Sequence, residues 1–370
     1  MQLTLNTGPG KAAGIYTGSN VFQELNTFLG NLSPGPDSIF ILTDKQSRSC
    51  CLEVLTCAVP SLLAAEVLEI PAGEKNKSLQ SAEHLWNILA MKGASRRSLM
   101  INLGGGVITD LGGFVASTFK RGIPFINIPT SLLGMVDAAI GGKTGINLGD
   151  IKNQIGTFHN PDAIFISTGF LGTLDSYELL SGFAEIIKIA LVADIRLWKK
   201  LSSIRLKDLL KMKPDNEIWE DLVSASVAIK CRIVEQDFRE KNFREILNFG
   251  HTIGHAFESL SLQTNRNPLS HGHAIALGMI CESYLSVVKS GLDSGDRDAI
   301  IRMIFPDYEY YPLHRKDLDF MMEFIGHDKK RRSSKVCFSL LSSPGKAISG
   351  EPCEPFEIIE SIDFYRTLER

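Results

Sequence analysis

The feature that most restricts the fold of this chain is a triple glycine between a buried strand and an apolar helix. Residues 98–103 predict the strand, which runs directly into Gly104-Gly105-Gly106. This order lets backbone N–H groups at a helix N-terminus face a phosphate. The usual dinucleotide fingerprint is not met, because Thr109 stands where a glycine or alanine is expected, and no P-loop lysine follows. A glycine turn without a ligand is the alternative interpretation.

Further strands surround this turn and alternate with helices. Buried strands are predicted at residues 38–44, 64–70, 124–129 and 163–166. Polar side chains stand where two of these strands end, and open α/β sheets bind ligands at the carboxyl ends of their strands. The alternation therefore favours a nucleotide-binding parallel sheet in the first half of the chain.

The pattern changes after about residue 175. Apolar positions recur at helical spacing in residues 176–194, 196–211, 216–238 and beyond 246, and the next clear strand is at 335–341. A chain of 370 residues is too long for one ordinary core. We therefore expect two domains that divide near residue 173, with a mainly helical second half.

Composition excludes several classes of protein. The net charge of −3, with no basic run longer than residues 329–332, argues against a nucleic-acid partner. No run of about 18 apolar residues predicts a membrane span, and the first residues do not resemble a signal peptide. Seven scattered cysteines without a Cys-x-x-Cys pair predict a reduced, cytoplasmic protein.

Histidines are concentrated in one stretch, since four of the eight lie between residues 251 and 273. His251 and His255 are four apart, which places both imidazoles on one helix face. His271 could complete a metal site with an open coordination position, as a catalytic zinc requires. The alternative is a helix with two core histidines.

Two further groups of polar residues are candidates for a site. Residues 136–153 contain an aspartate, lysines and asparagines among glycines, which predicts a loop that binds an anionic, polyhydroxylated substrate or is only solvated. Glu185 and Lys188 stand three apart among apolar residues. Burying such a pair is costly unless it binds something, so Glu185 is the best carboxylate to join the histidines, with a simple ion pair as the alternative.

Short motifs in a fixed order resemble one family. They are Gly104-Gly105-Gly106-Val107 with Asp110, Arg121-Gly122, Pro129-Thr130-Ser131-Leu132-Leu133, Val136-Asp137, Gly141-Gly142-Lys143-Thr144-Gly145, Lys152-Asn153, Ala184-Glu185-Ile186-Ile187-Lys188, and Asn248 with Gly250-His251 and Gly254-His255. Together they resemble 3-dehydroquinate synthase, and the resemblance runs from residue 44 to residue 330.

The resemblance implies a fold and an activity. The fold is an α/β, Rossmann-like NAD-binding domain over residues 1–173 and an all-α C-terminal metal- and substrate-binding domain over residues 174–370, assembled as a homodimer. The activity is that of a lyase of the shikimate pathway to aromatic amino acids, which converts 3-deoxy-D-arabino-heptulosonate 7-phosphate to 3-dehydroquinate and phosphate. Transient oxidation by NAD would precede β-elimination of phosphate, re-reduction and an intramolecular aldol closure, at a Zn²⁺ or Co²⁺ ion.

The resemblance also implies roles for individual residues. The implied metal ligands are Glu185, His251 and His271. The implied substrate-site residues are Asp137, Lys143, Asn153, Lys188, Lys230, Arg244, Asn248 and His255, with Arg121 lent across the dimer to the neighbour's substrate phosphate. The implied NAD contacts are Asp44, Glu74, Lys75, Gly105, Gly106, Asp110, Thr130, Ser131, Lys152, Thr173 and Glu178.

The chain departs from the family pattern at three positions, and three alternative functions stay open. His273 stands where the family usually has glutamate, Thr109 replaces a common glycine, and Asp175 replaces a common proline. The rival functions are another sugar-phosphate cyclase, such as 2-deoxy-scyllo-inosose synthase, a metal-dependent polyol dehydrogenase of the glycerol dehydrogenase type, and a binding protein that has lost catalysis. Imidazole and carboxylate ligands suit zinc and cobalt alike, so the metal stays open.

Overall fold

A computed structural model describes residues 1–6, 12–149, 151–213, 216–264, 268–327, 331–332 and 335–368. The chain divides into two units, of which unit 1 is Met1–Asp175 with Lys213–Arg239, and unit 2 is Ser176–Met212 with Glu240–Arg370. The division after residue 175 lies close to the boundary expected near residue 173. The segment 213–239 differs from that expectation, because it belongs to unit 1.

The elements are numbered in chain order. The strands are β1 Gln2–Leu5, β2 Ala13–Thr17, β3 Ile39–Asp44, β4 Glu66–Ile70, β5 Leu99–Gly104, β6 Phe125–Pro129, β7 Lys143–Leu148, β8 Ile151–Phe158, β9 Ala163–Ile166, β10 Arg331–Arg332, β11 Lys335–Ser343 and β12 Lys346–Cys353. The helices are α1 Val21–Gly30, α2 Lys45–Ser47, α3 Glu53–Ala58, α4 Leu79–Met91, α5 Gly106–Thr118, α6 Ser176–Ala193, α7 Ile195–Ser202, α8 Leu206–Leu209, α9 Glu217–Gln236, α10 His251–Thr264, α11 His271–Ser290, α12 Ser294–Ile304, α13 Arg315–His327 and α14 Pro355–Arg366. Short 3₁₀ and π-helical turns connect several of them.

Unit 1 is built on a seven-stranded sheet in the order β1-β2-β9-β6-β5-β3-β4. All neighbouring strands pair in parallel except β1 and β2. The central strands β5 and β6 are buried along their whole length, which explains their continuous apolar sequence. The predicted strands in this half are confirmed, and Ser78 caps α4 by accepting the Ser81 N–H.

Two predicted elements of the chain are different in the structure. The sequence predicts a loop over residues 136–153, but β7 in this stretch pairs with β8 in an antiparallel hairpin that extends to residue 158, from Lys143↔Phe158 to Leu148↔Ile151. Gly145 and Gly156 lie opposite each other and allow this pairing, since a Cβ at Gly156 would lie 2.2 Å from the Thr144 carbonyl oxygen. The single helix predicted for 196–211 is divided into α7 and α8.

Unit 2 is largely helical, as expected, and also contains the antiparallel sheet β10-β11-β12. The strand predicted at 335–341 is part of β11. The basic run at 329–332 lies partly outside the described residues. None of the helices in the described ranges combines the length and apolar character needed to cross a bilayer.

Glycines let α10 and α11 approach each other at backbone distance. A Cβ on Gly278 of α11 would lie 2.0 Å from the carbonyl oxygen of Gly250 and 2.6 Å from the nitrogen of Gly254. Gly250 has φ +79°, a left-handed conformation that favours glycine. The first turn of α10 therefore packs directly on the α11 backbone.

We expect Gly278→Ala to lower the free energy of unfolding by about 3 kcal/mol, because its methyl group must displace the α10 backbone. Gly30→Ala is the matched control, since Gly30 ends α1 and a Cβ there meets nothing within 4 Å. It should change stability by less than about 1 kcal/mol. Urea unfolding of both variants measures the difference, and equal stability would contradict this account of the contact.

Candidate functional site

Three histidines and a glutamate of unit 2 form a cluster with metal-binding geometry. Ligand atoms of His251, His255 and His271 all lie within 4.8 Å of one another. Glu185 Oε1 lies 3.9 Å from His251 Nε2 and 3.6 Å from His271 Nε2. Imidazole nitrogens with one carboxylate oxygen suit Zn²⁺ and Co²⁺, so the cluster fits a divalent transition metal.

The cluster is assembled from three helices whose local sequence explains the placement. His251 is the first residue of α10 and follows the left-handed Gly250. His271 is the first residue of α11, where the Ser270 side chain caps the helix. Glu185 lies in the middle of α6 and is fully buried. Because both histidines stand at helix starts, their positions depend on how those helix ends are held.

Neighbouring groups orient two of the imidazole rings. His251 Nδ1 lies 3.2 Å from the Phe249 carbonyl oxygen, which can only accept, so this nitrogen carries the proton and Nε2 is left to face Glu185. His271 Nδ1 lies 3.6 Å from Glu258 Oε2, while its Nε2 faces Glu185. A carboxylate behind the second nitrogen of a histidine is typical of metal ligands. Glu258 was not recognised from the sequence.

The two carboxylates also determine the charge of His271. Burial lowers the pKa of His271, but Glu185 and Glu258 outweigh burial and raise the pKa to about 9. In the metal-free protein this imidazole therefore carries a proton at neutral pH, and an ion that binds Nε2 must displace it.

Glu185 and Lys188 form an ion pair that the structure buries almost completely. Glu185 is 0% and Lys188 is 2% exposed, and their charged groups are in contact within α6. A solvated i,i+3 surface pair is therefore excluded. A buried ammonium beside a carboxylate that faces two imidazoles belongs to the same cluster.

His273, which stands where the family pattern has glutamate, is held by aromatic neighbours. Its ring stacks on Tyr177 at 3.9 Å between centroids and meets the edge of Tyr308 at 5.3 Å. Its Nδ1 lies 2.7 Å from Ser270 Oγ. Burial lowers the pKa of His273 to about 4, so this imidazole is neutral at physiological pH.

In unit 1 a buried lysine joins three predicted positions. Lys77 Nζ lies 3.1 Å from Glu74 Oε1 and 3.1 Å from Asp110 Oδ2, and donates to Asn153 Oδ1 at 2.7 Å. Burial lowers the pKa of Lys77, but Asp110 and Glu74 outweigh it and raise the pKa, so the ammonium stays charged. Lys75, the lysine predicted from the resemblance, is exposed. The i,i+3 spacing of Glu74 and Lys77 is the sequence signal that could have identified Lys77.

The triple glycine forms a tight turn beside the end of β6. Gly105 caps α5 with an extended backbone, and a Cβ on it would lie 3.1 Å from Ser131 Oγ. A Cβ on Gly106 would lie 3.2 Å from that of Ala138. The first residues of α5 therefore carry no side chains of their own at this end, and their backbone packs closely on Ser131 and Ala138.

Two other pairs of predicted residues in unit 1 come together. Lys230 of α9 donates to the Asp137 carboxylate and carbonyl oxygens, both at 2.5 Å. Cys51 Sγ lies 4.0 Å from Thr173 Oγ1 and also interacts with Thr130, so this buried thiol links two predicted cofactor contacts. Burial raises the pKa of Cys51 to about 11, so it acts as a neutral packing group.

The remaining predicted residues differ in exposure. Arg121, Lys143 and Glu178 are exposed, Asp44 and Lys152 are partly buried, and Arg244 is 3% exposed. Asn248, in the same 3₁₀ turn as Arg244, donates to Glu240 Oε1 at 2.9 Å. Arg121 has φ +69°, a left-handed conformation that is strained for a side-chain-bearing residue.

Comparison with known proteins gives matches along most of the chain. The family described as "3-dehydroquinate synthase N-terminal" matches residues 67–181, and the family described as "3-dehydroquinate synthase C-terminal" matches residues 182–331. A 3-dehydroquinate synthase of Parabacteroides distasonis is 43% identical over 347 residues, which are 93% of this chain and 95% of that relative.

Solved structures share the fold at lower identity. A 2-deoxy-scyllo-inosose synthase complexed with carbaglucose-6-phosphate, NAD⁺ and Co²⁺ superposes with a TM-score of 0.85 at 22% identity, covering 99% of both chains. The 2-epi-5-epi-valiolone synthase ValA of Streptomyces hygroscopicus, with NAD⁺ and Zn²⁺ bound, gives 0.82 at 24% identity over 100% of both.

We expect the stability of the metal-free protein to fall by about 3 kcal/mol as the pH is lowered from about 6.5 to about 4, through His273 alone. In this window the unfolded chain binds a proton that the buried imidazole does not, so acid favours unfolding. His273→Phe keeps an aromatic ring against Tyr177 and should remove this part of the pH dependence.

The matched control is His84→Phe, which changes an exposed histidine of α4. Urea unfolding at pH 7 and pH 5 gives the stability change for each protein. A pH dependence of His273→Phe equal to that of the wild type would show that His273 binds protons equally in the folded and unfolded states, which would contradict this account.

Proposed function

Because the chain belongs to the 3-dehydroquinate synthase family, we propose that it converts 3-deoxy-D-arabino-heptulosonate 7-phosphate to 3-dehydroquinate and phosphate. The observation that carries the proposal is the cluster of Glu185, His251 and His271 inside the region that matches the C-terminal family. Burying these polar groups costs free energy, which favours a catalytic role over a binding protein that has lost catalysis.

The metal ion of this proposal is Zn²⁺ or Co²⁺, held by Glu185, His251 and His271. Their donor atoms lie close enough to share one ion, and His255 stands beside them. We assign His255 to the substrate, because three protein ligands leave the open position that a catalytic metal needs.

The cofactor is NAD, and the glycine turn is the proposed site of its pyrophosphate. The backbone N–H groups of Gly105 and Gly106 would donate hydrogen bonds to the phosphates at the N-terminus of α5. The other proposed contacts are Asp44, Glu74, Asp110, Thr130, Ser131, Lys152, Thr173 and Glu178, together with Lys77, whose ammonium is buried among Glu74 and Asp110 as described above. Lys75, which is exposed, is a further proposed NAD contact.

When bound, NAD supplies a hydride acceptor that returns the hydride, and the metal ion supplies a Lewis acid for the substrate oxygens. The chain's own groups bind and orient the anionic substrate. Lys230 is held by Asp137, and Lys188 by Glu185, so both ammonium groups are fixed before substrate arrives. We assign Lys143, Asn153 and Arg121 to the substrate as further polar contacts.

The substrate carboxylate is assigned to a separate pair. Arg244 and Asn248 share the turn Phe243–Asn248, and Glu240 fixes the Asn248 amide. An arginine can bind a carboxylate through two parallel hydrogen bonds. This pair favours a sugar acid over a sugar phosphate that has no carboxylate.

We further propose that the protein acts as a homodimer in the cytoplasm. Its seven cysteines are all free, which suits a reducing compartment. Arg121 is exposed on a strained turn after α5, so its guanidinium is available to a second subunit.

With substrate, Zn²⁺ and catalytic NAD, the purified protein should release one phosphate per 3-dehydroquinate formed, and no NADH should accumulate. A chelator should abolish the activity and added Zn²⁺ or Co²⁺ should restore it, whereas His271→Ala should lower kcat by at least about 100-fold. A polyol dehydrogenase would instead build up NADH in proportion to product. Phosphate release from glucose 6-phosphate but not from the heptulosonate would favour 2-deoxy-scyllo-inosose synthesis.

We expect Arg121→Ala to raise KM by roughly 10- to 100-fold through the loss of charge-assisted phosphate bonds, and to leave NAD binding unchanged. Arg97→Ala, which removes another exposed arginine of unit 1, is the control and should behave as the wild type. Steady-state kinetics and NAD titration measure the two properties separately.

Mixing Arg121→Ala with Lys188→Ala subunits tests whether Arg121 acts in trans. A heterodimer then has one site with both changes and one with neither. Since half of freely exchanging dimers are mixed, about one quarter of wild-type activity should return. An inactive mixture with proven subunit exchange would assign Arg121 to its own chain.

A further inference from the structure

A buried glutamate of α11, Glu282, caps the helix that begins with His251. Glu282 is 0% exposed. It accepts the Gly250 N–H at 2.7 Å and the Ile253 N–H at 3.0 Å, one on each carboxylate oxygen. These are donors of the first turn of α10, which no preceding residue of the helix can satisfy. Gly250 has no side chain to cap them, so the cap comes from another helix.

Other residues of α11 also connect the start of α10 with His271. Gly278, one turn before Glu282, lies against the backbone of Gly250 and Gly254. His271 begins the helix on which Glu282 lies. Glu282 therefore ties the start of α10, with His251, to the helix that carries His271.

Charge gives Glu282 a second effect. Each helix N-terminus carries a partial positive charge of roughly half an elementary charge, and both His251 and His271 stand in a first helical turn. Such an end repels a cation held by the adjacent histidine. A carboxylate that binds the free N–H groups of α10 offsets this repulsion and needs no exposed counterion.

We propose that Glu282 is a positioning residue for the metal site, which fixes His251 relative to His271 and neutralises the N-terminus of α10. The proposal rests on the metal site assigned under the proposed function. It gives no metal-ligand role to Glu282 itself.

The test is the affinity of the purified protein for Zn²⁺, measured by competition with a chromogenic chelator at fixed pH, without substrate or NAD. Glu282→Gln keeps the shape but can accept only one of the two N–H bonds and has no charge. We expect it to weaken Zn²⁺ binding by 10- to 100-fold, in the range typical of groups that support metal ligands.

Glu357→Gln is the matched control. Glu357 is also a buried carboxylate that caps a helix, since it accepts the Glu354 N–H at 2.8 Å at the start of α14 and pairs with Lys289. It should lose stability and bind Zn²⁺ as the wild type does. Equal weakening in both variants would attribute the effect to general destabilisation and overturn the proposal.

The remaining outcomes are also decisive. Unchanged Zn²⁺ affinity in Glu282→Gln overturns the positioning role, whereas a wild-type protein that binds no Zn²⁺ overturns the metal assignment on which it rests. If Glu282→Gln does not fold, Glu282→Asp keeps the charge but is one methylene too short for both bonds. It should weaken binding by at least about 3-fold, and wild-type affinity would again overturn the proposal.

Discussion

The packing of the start of α10 on the backbone of α11 brings His251 close to His271. It combines the space left by Gly250, Gly254 and Gly278 with the hydrogen bonds from α10 to the Glu282 carboxylate of α11. The spacing of the proposed metal ligands His251 and His271 depends on this contact, because metal ligands need precisely placed supporting groups.

Both units contain buried charges that are held in pairs. Unit 2 buries Lys188 against Glu185, and unit 1 buries Lys77 against Asp110 and Lys230 against Asp137. Removing one partner of such a pair leaves an uncompensated charge, which costs several kcal/mol. The pairs therefore fix the orientation of the ammonium groups in the absence of a ligand. An anion that binds them loses no affinity to the entropy cost of ordering these side chains.

The route of the chain explains why one predicted boundary was incomplete. After α8 the chain returns to unit 1, where α9 brings Lys230 to Asp137. Helical periodicity in 216–238 predicted the helix but carries no information about its packing partner. The partner is set by what packs on the buried face of α9, which includes Trp219 and Leu222, and that packing exists only in the tertiary structure.

The parallel sheet, the glycine turn, the helical second half and the metal-type spacing of His251, His255 and His271 could be predicted from the sequence, because they depend on local periodicity and backbone freedom. The sequence analysis did not find the β7–β8 hairpin, Lys77, Glu258 or Glu282. Their roles depend on groups distant in sequence, as Glu282 lies 32 residues from the Gly250 N–H that it accepts. A buried carboxylate finds its donors only when the helices pack, and that packing is decided by the tertiary structure.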